Sequence, residues 1–137
     1  MESGFAVRIT YWDDDIQVVE VTAANQHFSG IAQIYLPEQG LEPLIGALAG
    51  FPTCTRESRQ LRLGESGAGV LSLALRTRDS RGSVEMEVQL EPRGRVADGH
   101  LVRLRLAVEP AAIDEFVQRM RSMPRIVGST CRIDDCG

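Results

Sequence analysis

The chain has no lysine, few aromatic residues and no long apolar run, and each absence narrows what the protein can be. All 15 basic residues are arginine, which is typical of a GC-rich genome or of selection for bidentate recognition of carboxylates and phosphates. No apolar segment approaches the ~20 residues of a transmembrane helix, so no membrane partner is expected. The first residues lack the basic start and apolar stretch of a secretory signal. The sequence therefore predicts a cytoplasmic protein.

An excess of positive charge is also absent, since the net charge is −4. The charge is uneven along the chain. Residues 1–55 carry one basic residue against seven acidic ones, a net −6, whereas residues 56–137 carry fourteen against twelve, a net +2. An acidic balance disfavours binding to the phosphate backbone, so we expect no nucleic-acid partner.

Cysteine is scarce and odd in number, with Cys54, Cys131 and Cys136. Free thiols are the rule in a reducing compartment. The spacing of Cys131 and Cys136 leaves open a metal pair or a facultative disulfide, but a closed zinc site needs four ligands. Only His27 and His100 could add to the pair, and both are distant in sequence. We therefore predict no metal and place the two thiols in a poorly ordered tail.

Apolar residues make up 43% of the 137 residues, enough for a single domain with its own core. Alternation of apolar and polar residues predicts strands, and apolar residues at helical spacing predict two helices. The fold class expected is α+β in the order β-β-β-α-β-β-β-β-α, a mainly antiparallel sheet of six to seven strands with two helices packed on one face. The domain would span residues 1–125, and residues 126–137 would form a C-terminal tail.

Two segments resemble one another and indicate an internal duplication. In each, a strand-like run ends near a proline, a helical stripe of apolar residues follows, and a second proline ends the segment. Leu41, Leu44, Ile45 and Leu48 form the first stripe, and Ile113, Phe116, Val117 and Met120 form the second. The helices are expected over residues 38–50 and 110–122, with Leu44 and Phe116 buried at matching positions.

No motif for catalysis or cofactor binding stands out. The glycine-rich stretch Gly64–Gly69 lacks the Lys-Ser/Thr ending of a phosphate loop and predicts a hairpin turn. A Gly-x-Ser-x-Gly nucleophile motif is missing, and His27 and His100 are expected to be structural or exposed. Arginine and glutamate alternate on later strands, where cross-strand ion pairs on a wet face are expected. We predict no cofactor and no enzymatic activity.

The one candidate site is an acidic turn between the first two strands, formed by Asp13, Asp14 and Asp15 beside Tyr11 and Trp12. A calcium or magnesium site would need ligands at defined spacing, which are missing. A solvated turn accounts for the acids, with Trp12 closing the core. Alternatively, the carboxylates speed the encounter with a basic protein while Trp12 supplies buried area, or the same edge supports self-association.

The run from Asn25 to Gly30, the helix ending in Gly50-Phe51-Pro52, the turn from Arg78 to Val84 and the helix start from Val108 to Ile113 resemble small uncharacterised bacterial proteins. These are grouped as domains of unknown function, and some of their relatives are similar to immunity proteins of bacterial toxin systems. The resemblance covers residues 5–123. It implies a compact α+β domain in the bacterial cytosol and carries no catalytic residue.

The sequence thus predicts a non-enzymatic binding domain, similar to immunity proteins. The alternative is a small enzyme or ligand-binding protein with a pocket between sheet and helices.

Overall fold

A computed structural model describes residues 3–78, 82–94 and 100–136. The turn predicted at residues 79–82 and the loop predicted at residues 92–99 lie largely outside this part of the chain. The described part contains two helices and eight strands. In chain order these are β1 (Gly4–Trp12), β2 (Gln17–Ala24), β3 (Ser29–Tyr35), α1 (Glu42–Leu48), β4 (Ser58–Glu65), β5 (Gly69–Thr77), β6 (Val84–Glu91), β7 (Val102–Val108), α2 (Pro110–Ser122) and β8 (Thr130–Asp134).

The strands form two antiparallel sheets of four strands, so the prediction of one sheet is wrong. Sheet A has the order β3-β2-β1-β8 and sheet B the order β4-β5-β6-β7. Strand β3, at the edge of sheet A, lies across sheet B. A Cβ at Gly30 would stand 2.2 Å from Val102 Cγ1, and one at Gly69 would stand 2.1 Å from the carbonyl oxygen of Gln33. Glycine at these two positions lets the sheets approach.

Both sheets and both helices share one core, as the alternation of the sequence predicts for sheets with one wet face. In β6, for example, Val84, Met86, Val88 and Leu90 are all fully buried while the residues between them are half-buried. The stripes of both helices are buried as well, with Leu44 and Phe116 each 1% exposed. Phe116 meets Phe5 of sheet A edge to face, with ring centroids 6.1 Å apart.

Residues 126–137, predicted as a tail, contain strand β8. It pairs antiparallel with β1, from Gly4 opposite Asp134 to Arg8 opposite Thr130. The chain then reaches sheet B, where the amide of Cys136 donates to the carbonyl of Ala107 over 2.8 Å and Asp135 accepts from the amide of Ala107 over 2.9 Å. Residues after α2 therefore complete one sheet and cover the edge of the other.

The two halves of the chain have the same topology. Each consists of three antiparallel strands in sequence, a helix and a final strand, β1-β2-β3-α1-β4 and β5-β6-β7-α2-β8. The final strand of each half pairs with the first strand of the other half, β4 with β5 and β8 with β1. The same interval of 14 residues separates Leu44 from the start of β4 at Ser58 and Phe116 from the start of β8 at Thr130. The extra strand of the predicted order is thus the last strand of the first half.

An arginine stabilises the C-terminal end of each helix by donating to backbone carbonyls that lack helical partners. Arg59 donates to the carbonyls of Ala47 and Ala49, at 3.3 and 2.6 Å, and its guanidinium lies 5.2 Å from the ring centroid of Phe51. Arg125 donates to the carbonyls of Met120 and Met123 at 2.7 and 2.8 Å.

Candidate interaction surface

A β-bulge near the end of β1 sets the geometry of the predicted site. Ile9 lies opposite Val19, but Tyr11 lies opposite Val18, so Thr10 has no counterpart in β2. An extra residue in one strand reverses the faces on which the following side chains lie. Tyr11 is therefore on the outer face of sheet A, and Trp12 is turned toward the core.

Trp12, predicted as a cap on the core or as an exposed anchor, packs against the core and is partly buried. Its indole lies beside the turn that precedes α1, where a Cβ added to Gly40 would be 3.4 Å from the ring. The guanidinium of Arg125 stands 5.8 Å from the ring centroid. Trp12 thus links the end of β1 to the segment after α2.

The bulge creates a shallow groove on the outer face of sheet A, which we call the tyrosine groove. Its volume is about 380 Å³, and its lining consists of Thr10, Tyr11, Ile16, Val18, Gln33 and Tyr35. Three of its apolar side chains are about half exposed, with Tyr11 at 49%, Ile16 at 47% and Tyr35 at 48%. Tyr11 and Tyr35 flank Val18 in register across three strands. Ile31, 55% exposed, extends the apolar surface along β3.

Asp13 has a structural role that the sequence did not reveal. Its Oδ1 accepts from the amides of Asp15 at 2.8 Å and Ile16 at 2.6 Å, and its Oδ2 accepts from the hydroxyl of Tyr11 at 2.7 Å. The bond from the Ile16 amide, followed by those from Tyr11 and Asp15, lowers the pKa of the Asp13 carboxyl. The same contact with Asp13 raises the pKa of the Tyr11 phenol. Asp13 therefore holds the turn, as aspartate commonly does in tight turns.

Asp14 and Asp15 differ from Asp13. Both are exposed, and within the described part of the chain neither carboxylate makes a hydrogen bond or an ion pair. They stand between Tyr11 and Ile16 in sequence, directly beside the tyrosine groove. Of the predicted set, Tyr11, Asp14 and Asp15 lie exposed beside the groove. Asp13 is also exposed but holds the turn, and Trp12 packs against the core.

Ile16 and Tyr35 belong to this surface although the sequence did not single them out. Tyr35 is 24 positions from Tyr11 in sequence, and only the strand register brings the two onto one face. The two tyrosines could not be assigned to one face from the sequence alone. Their alignment depends on the bulge at Thr10, and no glycine at that position marks the bulge in the sequence.

The outer face of sheet B carries the ion pairs predicted for it. Arg76 binds Glu85, and Arg103 and Arg105 both lie near Glu87, at 3.6 and 3.5 Å. No aromatic side chain lies on this face of β4 to β7. Sheets that bind single-stranded RNA use exposed aromatic side chains to stack the bases, and this face of sheet B has none on β4 to β7.

The remaining candidates are local features. The stretch Gly64–Gly69 is the β4–β5 hairpin turn, as predicted, and His27 lies exposed in the β2–β3 turn, where its amide donates to Asn25 Oδ1. Cys54, Cys131 and Cys136 are free thiols. Burial, more than any charge, raises the pKa of the Cys131 and Cys136 thiols.

Residues 3–78, 82–94 and 100–136 contain no group of three His, Cys, Asp or Glu side chains that could hold a metal ion. No helix in the same part of the chain is long and apolar enough to cross a membrane.

Comparison with protein families, with curated proteins and with solved structures gave no match to this chain.

Proposed function

We propose that the protein is a non-enzymatic, cytoplasmic binding domain that holds a basic protein partner at the tyrosine groove and the neighbouring carboxylates of Asp14 and Asp15. The observation that carries the proposal is the pair of half-exposed tyrosines, Tyr11 and Tyr35, that flank Val18 beside two carboxylates that bind nothing else in the described chain. No cofactor is needed for this function.

The groove has the composition of an interface centre. Tyrosine is enriched at interfaces because its ring supplies a large contact area while its hydroxyl finds a polar partner. The half-exposed Tyr11, Ile16 and Tyr35 leave apolar area that a partner would bury. The hydroxyl of Tyr11 is already bonded to Asp13, so this ring is held in place before binding. A fixed ring loses less conformational entropy when a partner binds.

The charge beside the groove selects the kind of partner. Asp14 and Asp15 contribute two negative charges at the tip of the turn, within the half of the chain that is net negative. Complementary charges at the rim of an interface mainly speed encounter and exclude partners of the same sign. A partner with arginine or lysine around an apolar side chain fits both features.

The second half of the chain serves as an internal comparison, because we propose that the two halves arose by duplication. Their topologies match, and even the ion pair of Arg8 with Glu20 on sheet A has a counterpart in Arg76 with Glu85 on sheet B. The outer face of sheet B also carries a shallow groove, of about 370 Å³, but its lining on β4, β5 and β6 is largely polar and contains no aromatic residue. The fold itself therefore does not require aromatic residues there, which supports a role in binding.

The resemblance to relatives of immunity proteins favours a bacterial toxin as the basic partner. Such a toxin would present a cationic substrate groove, and the acidic turn would occupy it. Self-association through the same edge is the competing outcome that the experiment below separates.

The test places a photocrosslinking amino acid at Ile31, next to the groove, and identifies what is crosslinked in the native lysate. The captured protein is then purified, and its affinity is measured by calorimetry at low and high salt. We expect Tyr35→Ala to weaken binding by about tenfold or more, as for a central aromatic contact. We expect Asp14→Asn/Asp15→Asn to slow association and to reduce its dependence on salt.

Matched controls separate a specific effect from a general one. Leu101→Ala removes an apolar side chain of the same exposure, 48%, on the other half of the molecule. Glu38→Gln/Asp114→Asn removes the same charge elsewhere. The proposal is wrong if the controls weaken binding as much as the site variants, or if the crosslinks join only two copies of this chain.

A further inference from the structure

A large cleft in the described part of the chain lies between the β3–α1 connection and the β4–β5 hairpin, away from the acidic turn. Its volume is about 720 Å³, within the range of roughly 300–1,000 Å³ that is usual for small-molecule sites. One wall is formed by Tyr35, Leu36, Pro37 and Pro43, and the other by residues 62–65, Gly67, Ala68 and Arg93. An apolar wall thus faces a wall that carries two guanidinium groups.

These two arginines differ from most others in the protein. Seven arginines form ion pairs with carboxylates, namely Arg8, Arg59, Arg76, Arg103, Arg105, Arg119 and Arg132. Arg125 instead binds helix carbonyls. Arg62 makes only a long hydrogen bond of 3.4 Å to the hydroxyl of Ser66, and the Arg93 side chain makes no hydrogen bond or ion pair with a described residue. Both guanidinium groups are exposed and keep their hydrogen-bond donors available.

The backbone holds the two arginines at one site although they are 31 positions apart. Arg62 is on β4, two residues before the hairpin turn, and Arg93 follows β6. The amide of Gly94 donates to the carbonyl of Gly67 at 3.2 Å, which fixes the segment after β6 against the turn. Gly67 has a φ of +90°, a backbone conformation that residues with a side chain rarely adopt. A Cβ added there would lie 3.7 Å from the carbonyl oxygen of Gly94.

We propose that this cleft binds a small organic anion, with a phosphate or carboxylate group on Arg62 and Arg93 and a flat apolar body against Tyr35 and the two prolines. Guanidinium groups bind such oxyanions through paired, charge-assisted hydrogen bonds. Glu65 stands in the same wall, so the formal charge of the lining is +1 and not +2. This site is independent of the tyrosine groove except for Tyr35, which lies at the border of both.

The experiment uses phenyl phosphate and benzoate as probes, followed by amide chemical shifts of the full chain. Phenyl phosphate is expected to shift Gly64, Gly67 and Ala68 in a saturable manner, and benzoate to shift the same amides if carboxylates are also accepted. Arg62→Gln and Arg93→Gln should each weaken binding by about tenfold, the loss of one charge-assisted contact. Asp14→Asn/Asp15→Asn should leave the affinity for the probe unchanged, so this result is separable from the proposed protein partner.

Two further variants give the sign of the charge effect. Glu65→Gln should tighten the binding of phenyl phosphate, because it removes the one negative group from the lining. Arg121→Gln removes an exposed arginine on α2, outside the cleft, and should have no effect. The proposal is overturned if neither probe shifts the hairpin amides, if Arg121→Gln weakens binding as much as Arg62→Gln, or if Glu65→Gln weakens it.

Discussion

Glu57 closes the loop between α1 and β4 through three hydrogen bonds. Its Oε1 accepts from the amide of Thr53 at 2.6 Å and from the hydroxyl of Thr53 at 2.7 Å, and its Oε2 accepts from Arg59 at 2.6 Å. The Thr53 hydroxyl, ahead of the Thr53 amide and Arg59, lowers the pKa of the Glu57 carboxyl to about 2. Because Arg59 also binds the end of α1, this carboxylate orients the residue that closes the helix.

The depressed pKa of Glu57 predicts how its contribution to stability depends on pH. A carboxyl whose pKa falls from its ordinary 4.5 to about 2 on folding stabilises the protein fully above pH 4.5, and the contribution is lost as the pH falls toward 2. Glu57→Gln should therefore destabilise the protein at neutral pH, and the difference from wild type in urea unfolding should shrink as the pH is lowered through this window.

An NMR titration of the Glu57 carboxyl carbon provides the direct check. Thr53→Ala removes the hydroxyl that has the largest effect, so it should move the titration midpoint upward. A midpoint near 4.5 in the wild-type protein would contradict the geometry described here.

Cys131 and Cys136 also differ at the scale of single residues. Cys131 is 4% exposed, and its sulfur lies 3.4 Å from that of Met123 in the core. Cys136 is exposed, with its sulfur 3.1 Å from the carbonyl of Ala107. We expect Cys131→Ser to cost about 1–3 kcal/mol, because it buries a hydroxyl among apolar groups.

Cys136→Ser is the matched control, since serine can donate to the same carbonyl, and its effect should stay within ~0.5 kcal/mol. Urea unfolding under reducing conditions measures both variants. Equal effects would mean that Cys131 does not occupy the core as described.

At the scale of secondary-structure elements, the periodicity of apolar residues was sufficient to predict the long elements. Helix α2 spans Pro110–Ser122 as the apolar spacing predicts, and α1 is shorter than expected, covering Glu42–Leu48. Pro43 is tolerated only in the first turn of a helix, so α1 begins just before it. The expected start at residue 38 would have placed this proline in the second turn.

Short or irregular elements could not be predicted in this way. Strand β8 has five residues, Thr130–Asp134, of which only Cys131 and Ile133 are buried, too few for a clear alternation. The bulge at Thr10 is set by pairing with β2, a contact distant in sequence, so alternation alone does not reveal that Trp12 turns toward the core. Of the candidate site, the sequence predicted the acidic turn and Tyr11 but missed the groove that the bulge forms.

The two helices should contribute comparably to stability, because Leu44 and Phe116 are buried to the same extent at matching positions. Phe116→Ala is expected to cost about 3–5 kcal/mol and Leu44→Ala about 2–5 kcal/mol. Gln118→Ala, at an exposed site on α2, is the control and should change the free energy of unfolding by less than ~0.5 kcal/mol. A loss below ~1 kcal/mol for Phe116→Ala, measured by circular dichroism during denaturation, would show that α2 does not pack against Phe5.

At the scale of the whole molecule, the sequence predicted an antiparallel α+β fold but not its division into two sheets. Alternation shows which side chains face the core, but it does not show which strands are neighbours. The turn between β4 and β5 is a hairpin within sheet B, as predicted, although β4 belongs to the first half of the chain and β5 to the second. The division lies between β3 and β4, which follow one another in the chain but are edge strands of different sheets.

Each half of the chain contributes its last strand, β4 or β8, to the sheet of the other half. The stabilities of the two halves are therefore coupled. If sheet A lost its order, β8 would lose its partner and the residues after it would leave the edge of β7, while α1 would lose the core that it shares with β4. Neither half has a complete sheet of its own to retain. By thermodynamic linkage, a ligand that binds only the folded cleft between the β3–α1 connection and the β4–β5 hairpin stabilises the tyrosine groove on sheet A against local opening. Binding at either surface would then raise the free energy of unfolding for both, although the two share only Tyr35 among the residues that line them.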